Sequence, residues 1–206
     1  NKFQVIPNLP KIKEIHTDSK GSVWFISLNY SDACFIDNNL KNFRQFTHDP
    51  NNSKSVKGKI VTLMRIDNRQ HLWIGFDDAG FVSKLNLDDY YKNDKKAEFV
   101  SYSFSGNKVT SIFFIYEFTF FTDNLGYLYR YEEKQDKMVL VTEALAGHYI
   151  TDGIGDNKGN IWFATTNQGL LLWNSKLRIR FNYTTSNSNL VSNFINQLFI
   201  DNTGVL

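Results

Sequence analysis

The sequence repeats itself, and a repeating chain must fold as like units packed on one another. The phrase IKEIHTDSKGSVWF (residues 12–25) returns as ITDGIGDNKGNIWF (residues 150–163), with Ile, Asp, Gly, Trp and Phe in matching places. A third copy, VTLMRIDNRQHLWI (residues 61–74), keeps Asp67 and Trp73 but has Gln70 where the others carry Gly21 and Gly159. A further copy opens as INQLFIDNTGVL (residues 195–206), with Asp201 and Gly204 in phase. Trp24, Trp73 and Trp162 then fit a period of about 45 residues, with one degenerate copy between the last two. That copy is placed at residues 108–131, which have aromatic strands and a late Gly126 but are read as lacking both the Asp-x-x-Gly turn and the Trp.

Four short strands are expected in each copy. First strands fall at 12–17, 61–66, 109–116 and 150–154, and second strands at 22–27, 71–76, 118–121 and 160–165. Asp-Ser-Lys-Gly and Asp-Asn-Lys-Gly between them are turn chemistry: Gly reaches φ > 0 and Asp bonds the backbone two residues on. Third strands follow Gly80, Gly126 and Gly169, Ser31 replacing that glycine in the first copy, and fourth strands are expected at 43–47, 99–104 and 178–183. Four antiparallel strands per repeat of about 45 residues define a β-propeller blade, with the second-strand aromatic between sheets. The expected class is all-β, with blades at 8–50, 51–104, 105–147 and 148–193 and a further blade starting at 194–206. Counted in repeats, 206 residues make an incomplete propeller of four to five blades, whose exposed edges invite pairing with a second copy.

Composition agrees: 18 Phe, 10 Tyr and 4 Trp suit pleated, half-buried surfaces. Lys and Arg (23) nearly balance Asp and Glu (21), and no long basic run occurs, which argues against nucleic acid or an anionic membrane surface as main partner. No apolar stretch is long enough to span a membrane. The single Cys34 excludes an internal disulfide and a multi-Cys metal site, and reads as a small buried hydrophobe.

These residues resemble the two-component regulator propeller repeats of the sensor region of Bacteroidetes hybrid two-component systems. That repeat runs from an Asn/Ser/Pro linker through Ile-x-x-Ile-x-x-Asp-x-x-Gly-x-Ile-Trp-Ile-Gly-Thr to Gly-Leu; residues 46–81, 161–173 and 182–204 look like parts of it. The resemblance implies a periplasmic sensor segment, from a parent chain with propellers, an immunoglobulin-like domain, a membrane helix, a histidine kinase, a receiver and a helix-turn-helix output. It further implies that oligosaccharides are detected to control glycan-utilisation genes. None of the kinase, receiver or DNA-binding elements lies in these residues.

Candidate chemistry is sparse. His16, His48, His71 and His148 fall at different phases of the repeat, so a metal site would need several blades; neither metal nor cofactor is expected. No Gly-x-Ser-x-Gly elbow or phosphate loop occurs, and no catalytic residue is assigned. Asp18, Asp67, Asp156 and Asp201 share one phase and read as turn residues. Asp88 and Asp89 read as a solvated acidic pair in a loop. Varied loops on a rigid scaffold are where binding is usually built, which directs attention to the second-to-third-strand connections. Their candidates are Asn29, Tyr30, Asp32, Asp77, Asp78, Asp123, Asn124, Asn167 and Gln168. Amides, carboxylates and an aromatic suit a sugar, whose hydroxyls need donors and acceptors and whose apolar face stacks on rings. The competing functions are a propeller lyase or lactonase with a channel metal, and a protein-interaction propeller.

Overall fold

The computed structural model describes residues 10–156, 158–174, 178–201 and 203–206, with 178–180 as backbone only. Residues 8–9, at the start of the first expected blade, lie outside the described residues. The chain forms two compact units, Asn1–Ser101 and Tyr102–Leu206, each holding two four-stranded antiparallel sheets apart from a boundary that falls within one strand.

In the first unit, β1 (Ile12–Thr17), β2 (Val23–Ser27), β3 (Ala33–Ile36) and β4 (Phe43–Phe46) form one meander. β5 (Val61–Ile66), β6 (His71–Phe76), β7 (Phe81–Asn86) and β8 (Val100–Ser103) form the next, with helix α1 (Leu87–Lys92) between β7 and β8. The second unit holds β9 (Val109–Ile115), β10 (Phe118–Asp123), β11 (Leu128–Glu132) and β12 (Lys137–Thr142). β13 (Ile150–Gly155), β14 (Ile161–Thr165), β15 (Leu170–Asn174) and β16 (Arg178–Tyr183) complete it. The fold is all-β, and its sheets are propeller blades.

Register shows how closely the copies agree. Trp24 lies opposite His16 and Phe35, Trp73 opposite Arg65 and Lys84, and Trp162 opposite Ile154 and Leu172. Each first strand also bulges one residue into its pairing, skipping Lys13, Thr62, Thr110 and Thr151 in turn. A bulge sharpens local twist and re-aims the strand end, so its recurrence gives the sheets a common shape.

One carboxylate organises each turn. Asp18 Oδ1 accepts the N–H groups of Lys20 (2.9 Å) and Ser22 (3.0 Å), while Oδ2 accepts the Trp24 indole N–H at 2.8 Å. Asp67 repeats this with Arg69, His71 and Trp73, and Asp156 with Lys158, Asn160 and Trp162. Trp24 and Trp73 are fully buried and Trp162 half-buried. Gln70 adopts φ +61° where its counterparts Gly21 and Gly159 take +76° and +77°, and Ser31 takes +55° where Gly126 and Gly169 stand at +83° and +77°. The bonds closing each turn hold a left-handed residue even without glycine.

The third sheet departs from expectation. Its Asp-x-x-Gly turn is present, moved to the β10–β11 connection: Asp123 Oδ1 accepts Leu125 and Tyr127 N–H, and Oδ2 accepts the Tyr129 hydroxyl, each at 3.0 Å. The tryptophan's two roles are divided. Phe120 takes its lattice place, opposite Phe113 and Arg130, and Tyr129 takes its bond to the carboxylate. The β9–β10 connection is a tight hairpin in which Tyr116 adopts φ +55°.

Asp88 and Asp89 stand in the first turn of α1 rather than in a loop, where carboxylates favour the helix dipole, and Asn86 caps it by accepting Asp89 N–H at 3.0 Å. The helix buries Tyr90 against Trp24, Phe35 and Phe46, with ring centroids 5.6, 5.7 and 6.3 Å away, and Tyr91 donates its hydroxyl to Asp18 Oδ2 at 2.5 Å. Each fully buried ring contributes roughly 2–3 kcal/mol. The core of the second unit gathers Phe113, Phe120, Phe163, Leu171 and Trp173.

Two stability tests follow from the turns. Burial pushes Asp67's pKa up, but the His71 side chain, the Trp73 indole and the His71 amide bond the charged form and bring it below the ordinary range. The folded state therefore holds this proton less tightly than the unfolded chain. The stabilisation is fully present above the unfolded value of about pH 4 and drains as pH falls through the depressed folded value. Asp67→Asn leaves the Trp73 N–H without its anionic acceptor, so a loss of about 2 kcal/mol at neutral pH and a flatter acid limb are expected from urea unfolding at stepped pH.

A methyl on Gly126 would meet Leu145 O at 2.1 Å, whereas one on Gly159 meets nothing within 4 Å; both glycines have positive φ. Gly159→Ala should cost about 1 kcal/mol from backbone strain and Gly126→Ala about 3 kcal/mol or more, read from thermal unfolding.

Candidate functional site

The nine candidates occupy equivalent connections in each unit. Asn29, Tyr30 and Asp32 lie in β2–β3 and Asp77 and Asp78 in β6–β7 of the first unit; Asp123 and Asn124 lie at β10–β11 and Asn167 and Gln168 in β14–β15 of the second. A chain of backbone contacts draws the first unit's loops to one end of its sheets. Val61 N–H donates to Ser31 O at 2.7 Å and Asp77 N–H to Ile60 O at 3.0 Å, so residues 60–61 join the β2–β3 loop to the β6–β7 loop. In the second unit, Thr165 O accepts Ile195 N–H (3.0 Å) and Leu125 O accepts Gly147 N–H (3.1 Å).

Several of these side chains turn inward on their own chain. Asn29 Oδ1 accepts Lys11 N–H at 3.2 Å. Asp78 accepts the N–H groups of Lys59 and Ile60, its Oδ1 at 3.1 and 3.0 Å, and Asn124 Oδ1 those of Asn107 and Lys108 at 3.0 and 3.2 Å. Asn29 and Asp78 share one repeat position, and Asn124, one residue earlier in the repeat, does the same job: a side-chain oxygen anchors the segment that enters the first strand. Asp123 is wholly buried, and besides its turn it accepts Gly106 N–H at 3.0 Å. Asp32 is buried and accepts the Gln45 amide at 2.5 Å; burial raises its pKa, the Gln45 bond opposing. The adjacent buried Cys34 thiol is pushed up to about 12, by burial first and then by the charge of Asp32, so it is not a poised nucleophile.

Tyr30, Asp77 and Asn167 face solvent, Tyr30 with 58% of its surface exposed. Gln168 is half-buried, and its Oε1 is buried without a hydrogen-bond partner. An exposed ring and carboxylate in one unit, and amides in the other, stand on loops fixed at their bases. Such groups can stack on a sugar face and exchange hydrogen bonds with hydroxyls.

Sequence reasoning passed over the first strands. Glu14 Oε2 accepts Met64 N–H at 3.3 Å, tying β1 to β5, while its Oε1 meets His16 Nε2 at 3.0 Å and pairs with the Arg65 guanidinium. His16 is pushed down by burial, opposed by its bond to the Met64 backbone. Asp152, at the same repeat position, accepts Leu198 N–H at 2.9 Å in the second unit. The signal was an acid four residues before the turn aspartate in both copies. The other histidines are held locally: His48 by Val56 O, His71 by Asp67 and His148 by Leu145 O. Among the described residues no three His, Cys, Asp or Glu side chains gather around a space for one ion, and no helix is long and apolar enough to cross a membrane.

No protein-family model matches the chain, and no curated protein matches it. Solved structures do. PorZ, a bacterial surface component of the type-IX secretion system of Porphyromonas gingivalis, aligns with TM-score 0.67 and 17% identity, over 96% of this chain and 30% of that one. The extracellular domain of a putative hybrid two-component system from B. thetaiotaomicron aligns with TM-score 0.62 and 15% identity, over 84% of this chain and 23% of that one. Virginiamycin B lyase from Staphylococcus aureus gives TM-score 0.61 and 13% identity, over 82% and 54%. At such identities the likeness establishes a propeller-type fold, and the chain spans no more than 54% of any of the three.

Anchoring and display are separable by experiment. Asp78→Ala should speed hydrogen exchange at Lys59 and Ile60 at least tenfold by freeing the entry to β5, whereas Tyr30→Ala should leave exchange and melting temperature unchanged.

Proposed function

We propose that this chain is a ligand-sensing propeller segment from the extracytoplasmic side of a two-component sensor, and that its ligand is an oligosaccharide. The observation that carries this reading is the construction of the second-to-third-strand loops. In the first unit their bases are fixed by Asn29 and Asp78 while Tyr30 and Asp77 face water; in the second, Asn124 fixes the β10–β11 loop, and Thr165 Oγ1, accepting Gln168 N–H at 2.9 Å, fixes the loop on which Asn167 faces water. Binding groups on a preset backbone lose little conformational freedom on engaging a flexible sugar. The fold shared with an extracellular domain of a putative hybrid two-component system supports the sensor setting and the periplasmic location. In this reading the signal passes to a membrane-anchored kinase elsewhere in the parent chain, the segment's partner is a second copy of itself, and the segment carries out no chemistry.

Isothermal titration with a panel of host and dietary oligosaccharides tests it. Saturable binding by at least one glycan is expected, weakened about tenfold by Tyr30→Ala for a ligand held by the first unit's loops and by Asn167→Ala for one held by the second unit's. Binding unaffected by either substitution would remove these loops from the site. Turnover of a glycan or a cyclic lactone would replace the sensor by an enzyme, and capture of a protein with no glycan binding would favour an interaction propeller.

A further inference from the structure

We infer that the second unit carries a second ligand site, at the opposite end of its strands from the loops above, which takes a small uncharged aromatic molecule bearing one hydrogen-bond acceptor. A cleft of about 250 Å³ opens between the sheet β9–β12 and the start of β14. Its walls are apolar: Ile115, Phe118, Phe120, Val141, Ile161 and Trp173. It lies beside Tyr116 in the β9–β10 hairpin and Gly159 in the β13–β14 turn, both connections from first to second strand.

The chemistry of the occupant follows from which polar groups around the cleft are already engaged. Tyr116 donates its hydroxyl to Asp156 O at 3.3 Å. Asn160 donates to Asp156 Oδ2 at 2.8 Å and accepts from Asn174 at 3.1 Å. Arg130 lies 4.9 Å over the Phe118 ring, with its guanidinium neutralised by Glu132, Nε to Oε1 at 2.7 Å. The cleft therefore offers an anion no uncompensated charge. Among the described residues lining the cleft, one buried donor has no partner: the indole N–H of Trp173, a residue only 8% exposed. A buried N–H without an acceptor is costly, and a ligand oxygen would relieve that cost.

The size and shape of the occupant follow from the first unit. Phe120 and Arg130 hold the lattice places that Trp24 and Phe35 hold there. In the first unit α1 covers those places, laying the Tyr90 ring on Trp24, Phe35 and Phe46. The same space between sheets is filled by an aromatic ring in one unit and open among the described residues of the other. Apolar cavities of ring size bind benzene-like molecules readily, and the indole N–H adds selection for an acceptor.

The test is a titration of the protein, ¹⁵N-labelled at its tryptophan indoles, with acetophenone and with ethylbenzene, which matches it in shape but lacks the acceptor. Acetophenone should shift the Trp173 indole signal saturably and bind about fivefold more tightly, the value of one net hydrogen bond of ~1 kcal/mol. In Trp173→Phe the preference should fall below twofold, and Val141→Phe, which fills an edge of the cleft, should weaken both probes. If Trp173→Phe fails to fold, the wild-type preference and the Val141→Phe result decide. Absence of a saturable Trp173 shift, or an undiminished preference in Trp173→Phe, would overturn the site. Benzoate binding more tightly than acetophenone would overturn the uncharged ligand. Because none of these residues belongs to the glycan-facing loops, the outcome is independent of the function proposed above.

Discussion

The aspartate that opens each Asp-x-x-Gly turn is the constraint on which the rest of the structure depends, because its two oxygens do different work. Oδ1 accepts two backbone N–H groups within the turn, while Oδ2 reaches the aromatic six residues on, which fixes the second strand against the first at Asp18 and Asp67 and the third against the second at Asp123. Asp201 repeats the first set of bonds, to Thr203 at 2.9 Å and Val205 at 3.0 Å, and its turn closes with Gly204 N–H on Asp201 O at 3.0 Å. The turn bonds span five residues, and the aromatic bond is a further contact that sets register. Register needs such a contact, since a slip of one residue would send every core side chain to the wrong face.

Much of this was legible in the sequence. First and second strands, turns and class follow from spacing and residue type alone, and expected strands such as 61–66 and 71–76 coincide with those observed. The third sheet was misread for a traceable reason. Asp123-Asn-Leu-Gly126 is an intact turn motif followed by Tyr129 at the proper distance, but a search keyed to Trp passes over a phenol that supplies the same donor. Helix α1 was readable too, from Asn86 as a cap with two acids in the first turn.

The candidate site was less legible, and for a physical reason. Composition shows that Asn29, Asp78 and Asn124 are polar and in loops; it does not show whether an oxygen faces water or the backbone beside it. Short Asn and Asp side chains compete for nearby N–H groups, and at these three positions the backbone of the segment entering the first strand wins. Repeat phase does not separate the roles: Asn29, Asp78 and Asn167 all stand five residues after a tryptophan, yet Asn167 faces water, while Asn124 anchors from one residue earlier in the repeat. Tyr30 has no such option, since a phenol on an exposed loop tip cannot fold back to a main-chain N–H two residues away.

The seams between sheets follow the same economy of contacts. Glu14 reaches Met64 N–H in β5, and Asp152 reaches Leu198 N–H in the segment that follows β16, so within each unit a carboxylate from one copy holds the opening segment of the next. Such bonds are strong because an anion accepts them. They also join neighbours only, which makes the stability of a repeat protein close to a sum of copies and seams. A frame of that kind lets the spaces between sheets vary freely. Tyr90 fills one such space without disturbing the strands around it, and the apolar cleft beside Trp173 leaves another open. The repeats conserve a scaffold, and what differs between them is confined to the loops and the seams, which is where recognition can be built without changes to the strands.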